Sequence, residues 1–446
     1  MPGASPLKLF GTDGVRGRVG EVLTPELAFG LGRAIVEVSS VGRPQVLVVR
    51  DTRVSGEMLE SALCAGVAAA GGQALLAGIL PTPAASLLVR RLGLDIATVI
   101  SASHNPYYDN GIKFFDADGR KLSEEMEHAV EQRVGASEPI VGDGRVRAVK
   151  GALDDYLREL ESRFPRKLDG SSVLLDCANG ATYKAGPLMF ERLGATVATI
   201  ASEPDGTNIN TGCGSTHIGL VAEQMSDGDY DIGFAFDGDG DRVLAVDRNG
   251  RVVDGDEIIA HAALHLNAKQ TLAGGVAVTV MTNYGFHQAM EEAGIEVATT
   301  KVGDRYVVEE LERRGWRLGG EQSGHIIDRG LTPSGDGIGA ALLLLEALDG
   351  RDLAETHVFD QLPQCLVSVP VDAPERLAEA GAIWKAVEAE SKALDGRGRV
   401  LLRPSGTEPL VRVMAEAPTT EECEQVVARL VAAVEGALGS AAGSRP

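Results

Sequence analysis

VLVVRDTRVSGEMLESALCAGVAAAGGQALLAGI, from Val46 to Ile79, runs from a β-branched stretch through a polar turn into helix-period residues, then a glycine and a second apolar run. That order reads as strand, helix, strand. The unit recurs as VLLDCANGATYKAGPLMFERLGATVATI from Val173 and as VAVTVMTNYGFHQAMEEAGIEVATTKV from Val276, where Gly294 marks the end of the helix. Strands alternating with helices build parallel or mixed sheets covered on both faces. The expected fold class is therefore α/β, with three similar mixed-sheet domains over residues 1–150, 151–256 and 257–367. After about residue 368 the pattern changes to a strand near Val367 to Val371, a long helical stretch, RVLLRPSGTEPLVRVMAEA and a last helix. This is a smaller C-terminal α+β domain, residues 368–446. In its final helix Val426, Val427, Leu430, Val431, Val434 and Leu438 fall at helical spacing, and Thr419 with Glu422 can form a capping box. The tail GSAAGSRP reads as disordered.

The chain has 446 residues, which at roughly 150 per domain rules out one small domain. With 42 basic and 64 acidic residues its net charge is -22, so no overall field draws it to nucleic acid or anionic lipid. No apolar run approaches the roughly 18 residues of a membrane span, and no apolar leader precedes FGTDGVRG, so a cytoplasmic location is expected. Cys64, Cys177, Cys213, Cys365 and Cys423 are odd in number, far apart and without a CxxC pair, which argues against a disulfide framework or a zinc site.

Four segments carry chemistry. In DIGFAFDGDGDRVLAVDRNGRVV a strand ends at Phe236, and Asp237, Asp239 and Asp241 follow at alternate positions. In an extended loop that spacing would point all three carboxylates one way, and a hard divalent cation, Mg2+ first, would offset their repulsion. Arg242 and Arg248 stand where an EF-hand needs glycine and glutamate. The bland alternative is a solvated acidic turn. In ATVISASHNPYYDNGIKFFDADG an apolar strand enters a loop with Ser101, Ser103, His104 and Asn105, and Lys113 follows nearby. A serine there is either a nucleophile helped by a base and a cation or an ordinary turn residue.

In RLGGEQSGHIID, Glu321, Ser323 and His325 alternate in a glycine-bounded loop and could offer acceptor, hydroxyl and imidazole to a polyol ring, or be plain surface residues. RPSGTEPLVRV brings Arg403, Ser405, Gly406, Thr407 and Arg412 into a hairpin suited to a phosphate, unless it is a simple β-turn with solvated arginines. There is no Walker A loop, and GDGIGA (Gly335 to Ala340) reads better as a helix start capped by Ser334 or Asp336.

FGTDGVRG (Phe10 to Gly17), SASHNP (Ser101 to Pro106), DGDGDR (Asp237 to Arg242), GEQSGH (Gly320 to His325) and RPSGTEP (Arg403 to Pro409) occur in the order of the α-D-phosphohexomutases, which the whole chain resembles. With NINTGCGSTH (Asn208 to His217), the first and fourth motifs are most similar to the aminosugar branch. The resemblance implies four domains around a central cleft, Ser103 as phosphoserine, and Mg2+ held by Ser103, Asp237, Asp239 and Asp241. It implies Arg16, His104, Lys113 and Arg242 around the transferring phosphoryl group. Lys301, Gly303, Glu321, Ser323 and His325 would contact the sugar, and Arg403, Ser405, Gly406, Thr407 and Arg412 the other phosphate. The implied activity interconverts glucosamine 6-phosphate and glucosamine 1-phosphate through a 1,6-bisphosphate. A glucose or mannose phosphate mutase and a non-catalytic sugar-phosphate binder are the rivals. The expected partner is a small hexosamine phosphate, with neither nucleic acid nor membrane; the oligomeric state stays open, a homodimer being one option.

Overall fold

A computed structural model describes residues 8–11, 13–135, 142–405 and 408–439. Residues 440–446 of the expected disordered tail, and Gly406 and Thr407, lie outside the described residues. The chain divides into two compact units, Met1–Met281 with Ile295–His357, and Thr282–Gly294 with Val358–Pro446.

The first unit holds three mixed sheets. Strands β1 (Val15–Arg18), β2 (Gln45–Arg50), β3 (Gln73–Ile79), β4 (Ile96–Ile100), β5 (Asp109–Phe115) and β6 (Arg145–Ala148) form the order β1-β5-β4-β2-β3-β6. Strands β7 (Ser172–Asp176), β8 (Thr196–Ile200), β9 (Ile232–Phe236), β10 (Val243–Asp247) and β11 (Val252–Val253) form β11-β10-β9-β7-β8. Strands β12 (Val276–Thr279), β13 (Val297–Thr300), β14 (Leu318–Gly320) and β15 (Ile326–Asp328) form β13-β12-β14-β15. Every residue of β4 and β9 is buried, as continuous apolar runs must be in sheets covered on both sides. The polar segments that follow β4, β9 and β14 are the three motif loops of this unit, each at the carboxyl end of a strand with a parallel neighbour. Asp336, rather than Ser334, caps the helix Gly337–Leu348 by accepting the Gly339 N–H at 2.8 Å.

The second unit has an antiparallel sheet of β16 (Gln364–Pro370), β17 (Arg399–Pro404) and β18 (Leu410–Glu416), in the order β16-β18-β17. Val369, Val411 and Val413 share a core with Val426, Leu430 and Val434 of the helix Thr420–Leu438. Thr419 caps that helix by accepting the Glu422 N–H at 3.2 Å, while the Glu422 carboxylate goes to Arg397 rather than back to the cap. Two expectations need correction. Strand β16 begins at Gln364, so a boundary between 367 and 368 falls inside it. The helix of the third repeat, Tyr284–Glu292, groups with the C-terminal unit. The Tyr284 N–H reaches the Glu416 carboxylate at 2.8 Å, Asn283 exchanges hydrogen bonds with Leu362, and Phe286 meets Phe359 edge-on. Among the described residues no helix is long and apolar enough to cross a membrane.

Candidate active site

Ser103 is buried in the loop after β4, with φ +50°, a left-handed conformation that a non-glycine residue holds only under the constraint of its surroundings. Its hydroxyl donates to Asp237 Oδ2 at 2.5 Å and lies 3.3 Å from His104 Nδ1. Ser101, two residues earlier, faces elsewhere. Its hydroxyl donates to Asp51 at 2.5 Å and accepts the Ser103 N–H at 3.0 Å. The geometry therefore separates the two serines of the loop.

Asp237, Asp239 and Asp241 are buried, and each offers a carboxylate oxygen within 4.8 Å of the others. Their convergence comes from a tight turn, with Gly240 at φ +73°, rather than from the extended loop expected of the alternate spacing. Asp239 Oδ2 accepts from Thr82 Oγ1 at 2.7 Å and Lys113 Nζ at 2.8 Å. The second oxygens of Asp239 and Asp241 are buried without a hydrogen-bond partner. Buried carboxylate oxygens are expensive to leave bare, so this all-oxygen set fits a hard divalent cation. Burial, then repulsion from Asp241 and Asp239, hold the Asp237 carboxyl well above its ordinary range. Burial acts most strongly to raise Asp239, but the charge and hydrogen bond of Lys113, with Arg16, together hold that carboxyl below the ordinary range.

Cations ring the acids. Lys113 is buried, 3.1 Å from Asp13 and 3.9 Å from Asp241. Arg16 pairs with Asp13, and Lys121 joins Asp13 and Asp304, each at 2.6 Å. The Arg242 N–H reaches Asp237 Oδ1 at 3.2 Å, and its Nε is 3.9 Å from Asp241. Both Arg16 Nε and Arg242 Nε are buried and make no hydrogen bond. Burial, with Arg242 and Arg16 nearby, depresses His104 below its ordinary value and favours a neutral imidazole.

The loop after β14 divides its expected set. His325 is buried, with Nε2 3.7 Å from Asp241 and 3.8 Å from Asp304, whereas Ser323 is exposed. Glu321 accepts the Gly303 N–H at 3.0 Å, which joins two of the expected residues. Lys301 is exposed, 5.8 Å from the Tyr306 ring. In the second unit Arg403 and Arg412 are directly opposed across β17 and β18. Like charges placed so are unfavourable without an anion, and repulsion from Arg412 adds to burial in lowering the Arg403 pKa. Ser405 Oγ accepts the Glu408 N–H at 3.3 Å.

Sequence reasoning passed over Asp13, Asp51, Arg53, Thr82, Lys121, Asn210 and Asp304. Some signal existed: Asp13 lies inside FGTDGVRG, Asn210 inside NINTGCGSTH, and Asp51 and Arg53 in the polar turn closing β2.

Four family models match in turn: phosphoglucomutase/phosphomannomutase alpha/beta/alpha domain I over residues 7–140, domain II over 154–250, domain III over 254–364, and the C-terminal domain over 366–433. The phosphoglucosamine mutase of Moorella thermoacetica is 50% identical over 442 residues, spanning 96% of this chain and 99% of its own. That of Nocardioides sp. is 47% identical over 444 residues, spanning 97% and 99%. Among solved structures, a phosphoglucomutase/phosphomannomutase family protein from Burkholderia thailandensis superposes with a TM-score of 0.83 at 24% identity, covering 98% of both chains. The N-acetylphosphoglucosamine mutase of Aspergillus fumigatus, solved with GlcNAc-6P and magnesium, gives 0.70 at 18% identity, covering 96% of both. These two likenesses bear on the fold.

Proposed function

The chain belongs to the phosphoglucomutase/phosphomannomutase family, and from that premise we propose that it is a phosphoglucosamine mutase, acting in the cytoplasm on glucosamine 6-phosphate and glucosamine 1-phosphate. The observation that carries the reading is the Ser103 hydroxyl 2.5 Å from Asp237, in an acidic cluster with two buried oxygens that accept no hydrogen bond. Asp237, Asp239, Asp241 and an oxygen on Ser103 would hold Mg2+, which when bound neutralises the carboxylates and the charge that develops on a transferring phosphoryl group.

The chain's own residues do the rest. Phospho-Ser103 gives its phosphoryl group to the C1 hydroxyl of glucosamine 6-phosphate: the new O–P bond forms at the sugar as the serine O–P bond breaks, and the sugar hydroxyl proton ends on the released serine oxygen. The neutral His104 imidazole, beside Ser103 Oγ, is placed to hold a proton there. Lys113, Arg16 and Arg242 keep the transferring group in a cationic pocket, because a loose transition state needs position and charge more than covalent help. The 1,6-bisphosphate then turns end for end, the 6-phosphoryl group returns to Ser103, and glucosamine 1-phosphate leaves. Glu321, Ser323, His325, Lys301 and Gly303 would face the sugar, while Arg403, Ser405, Gly406, Thr407 and Arg412 would receive the phosphate that is not moving.

A coupled assay on glucosamine, glucose and mannose phosphates at one Mg2+ concentration tests the reading. The expected result is the highest kcat/KM for the glucosamine pair with slow glucose phosphate turnover, since one amine contact gives finite discrimination. A preference for glucose or mannose phosphate reassigns the substrate; no phosphoryl transfer to any of them overturns the enzyme reading.

A further inference from the structure

Two side chains remote from each other in sequence hold the same two carbonyl groups of the Ser103 loop. Arg53 Nη2 donates to Ser103 O at 2.9 Å and Asn105 O at 2.8 Å. Asn210 Nδ2 donates to the same oxygens at 2.9 and 3.1 Å. Arg53 belongs to the turn after β2, beside the loop it holds. Asn210 comes from the other side, on a segment fixed to the end of β7: its N–H donates to Ala178 O at 2.9 Å, and Asp176 accepts the Ala178 and Gly214 N–H groups at 2.8 and 2.7 Å. The acidic turn lies directly on this junction. A Cβ at Gly238 would stand 2.5 Å from Ser103 O and 2.7 Å from Asn210 Nδ2, so only glycine allows the approach.

We propose that Asn210 is a positioning residue that ties the Ser103 loop to the sheet bearing the acidic cluster and so fixes the direction of Ser103 Oγ. Arg53 alone already gives both carbonyls a hydrogen bond, so the Asn210 amide is not required to satisfy them. What it adds is a second, independent anchor on the Ser103–His104 and Asn105–Pro106 peptide planes, and fixing the first of these fixes the backbone that aims the Ser103 side chain. The inference rests on the proposed phosphoserine reading for its consequence, though not for its geometry. Small displacements of reacting groups cost rate far more than they cost binding.

The test uses the full-length protein. Asn210 has φ +59°, so Asn210→Gly removes the amide without backbone strain, and Asn210→Asp keeps the shape while losing the donor. Two readouts are taken. Hydrogen exchange of the 101–105 amides should quicken about tenfold in Asn210→Gly, with β4 amides and the melting temperature little changed. Enzyme phosphorylated with glucose 1,6-bisphosphate and mixed with glucosamine 6-phosphate should transfer its phosphoryl group at least about tenfold more slowly in both variants, with KM within about twofold of wild type. Unchanged exchange overturns the anchor, and faster exchange with unchanged transfer overturns its positioning role. If Asn210→Gly melts early, Asn210→Asp decides by the same split of kcat from KM. Wild-type protein inert toward every sugar phosphate overturns the functional reading instead, and exchange alone then decides the anchor.

Discussion

Two buried charge clusters meet at the loop after β4, and they are finished to different degrees. Around Ser101, the Asp51 carboxylate accepts from the serine hydroxyl and from Arg53, whose guanidinium spends all five of its N–H donors on Asp51 and on the carbonyls of Ser103, Asn105, Pro106 and Asp109. Around Ser103, two residues further on, carboxylates crowd together, and oxygens of Asp239 and Asp241 and the Nε atoms of Arg16 and Arg242 are buried without a hydrogen bond. A cluster with every donor and acceptor used is scaffold. One with buried polar atoms left over is built around something that arrives later. The difference separates two serines that local sequence cannot rank, and substitutions in matched pairs can break it.

The largest effect should come from the serines themselves. Ser103→Ala should lower mutase turnover by about a thousandfold or more while leaving the melting temperature near that of wild type, because no finished network loses a member. Ser101→Ala should do the reverse. It leaves Asp51 a donor short and the Ser103 N–H without its acceptor, at about 1–3 kcal/mol, read as earlier melting with far more activity retained. Intact-mass and peptide mass spectrometry should find phosphate on Ser103. Phosphate confined to Ser101 would reverse the assignment.

Next come the carboxylates. Asp237→Asn, or exhaustive chelation, should cost about a hundredfold in kcat with little loss of stability, since burial and repulsion from Asp241 and Asp239 already disfavour the Asp237 charge and removing it relieves the apo cluster. Asp51→Asn should cost about 3–5 kcal/mol, because it strips the buried Arg53 of its counter-charge. Chemical denaturation and Mg2+ titration of both variants separate the cases. Full activity after chelation would remove the metal role, and a more stable Asp51→Asn would show that this cluster is not scaffold.

Much of this was legible in the sequence, up to the range over which local signals act. The repeats at Val46, Val173 and Val276 announced three α/β sheets, because alternation and helical period are local. The period of Tyr284–Glu292 announced a helix yet could not tell which unit it would join; that depended on Phe359, Leu362 and Glu416, about 70 to 130 residues away. The aspartates were legible from composition and spacing, although a turn at Gly240, not an extended loop, gathers them. Arg53 and Asn210 were not, because a polar residue in a turn reads as solvated until the carbonyls it meets, 50 and 107 residues away, are in place.

The weakest expected effect asks whether two like charges held opposite each other mark a site in the second unit, with the sign reversed. Arg403 and Arg412 face each other across β17 and β18, and Arg412 lies 3.8 Å from the carboxylate of Glu408, an exposed side chain. Two opposed guanidinium groups repel unless an anion lies between them, and a charge-assisted contact to phosphate contributes about 1.5–3 kcal/mol. Arg412→Ala should therefore weaken binding of glucosamine 6-phosphate by about tenfold, leave binding of free glucosamine unchanged, and slightly stabilise the second unit by removing the repulsion. Calorimetric titration with both ligands, alongside thermal melting, reads all three outcomes. Equal loss for the phosphorylated and the free sugar would make the pair a structural feature, and would confine the rule that unfinished charge marks function to the Ser103 cluster.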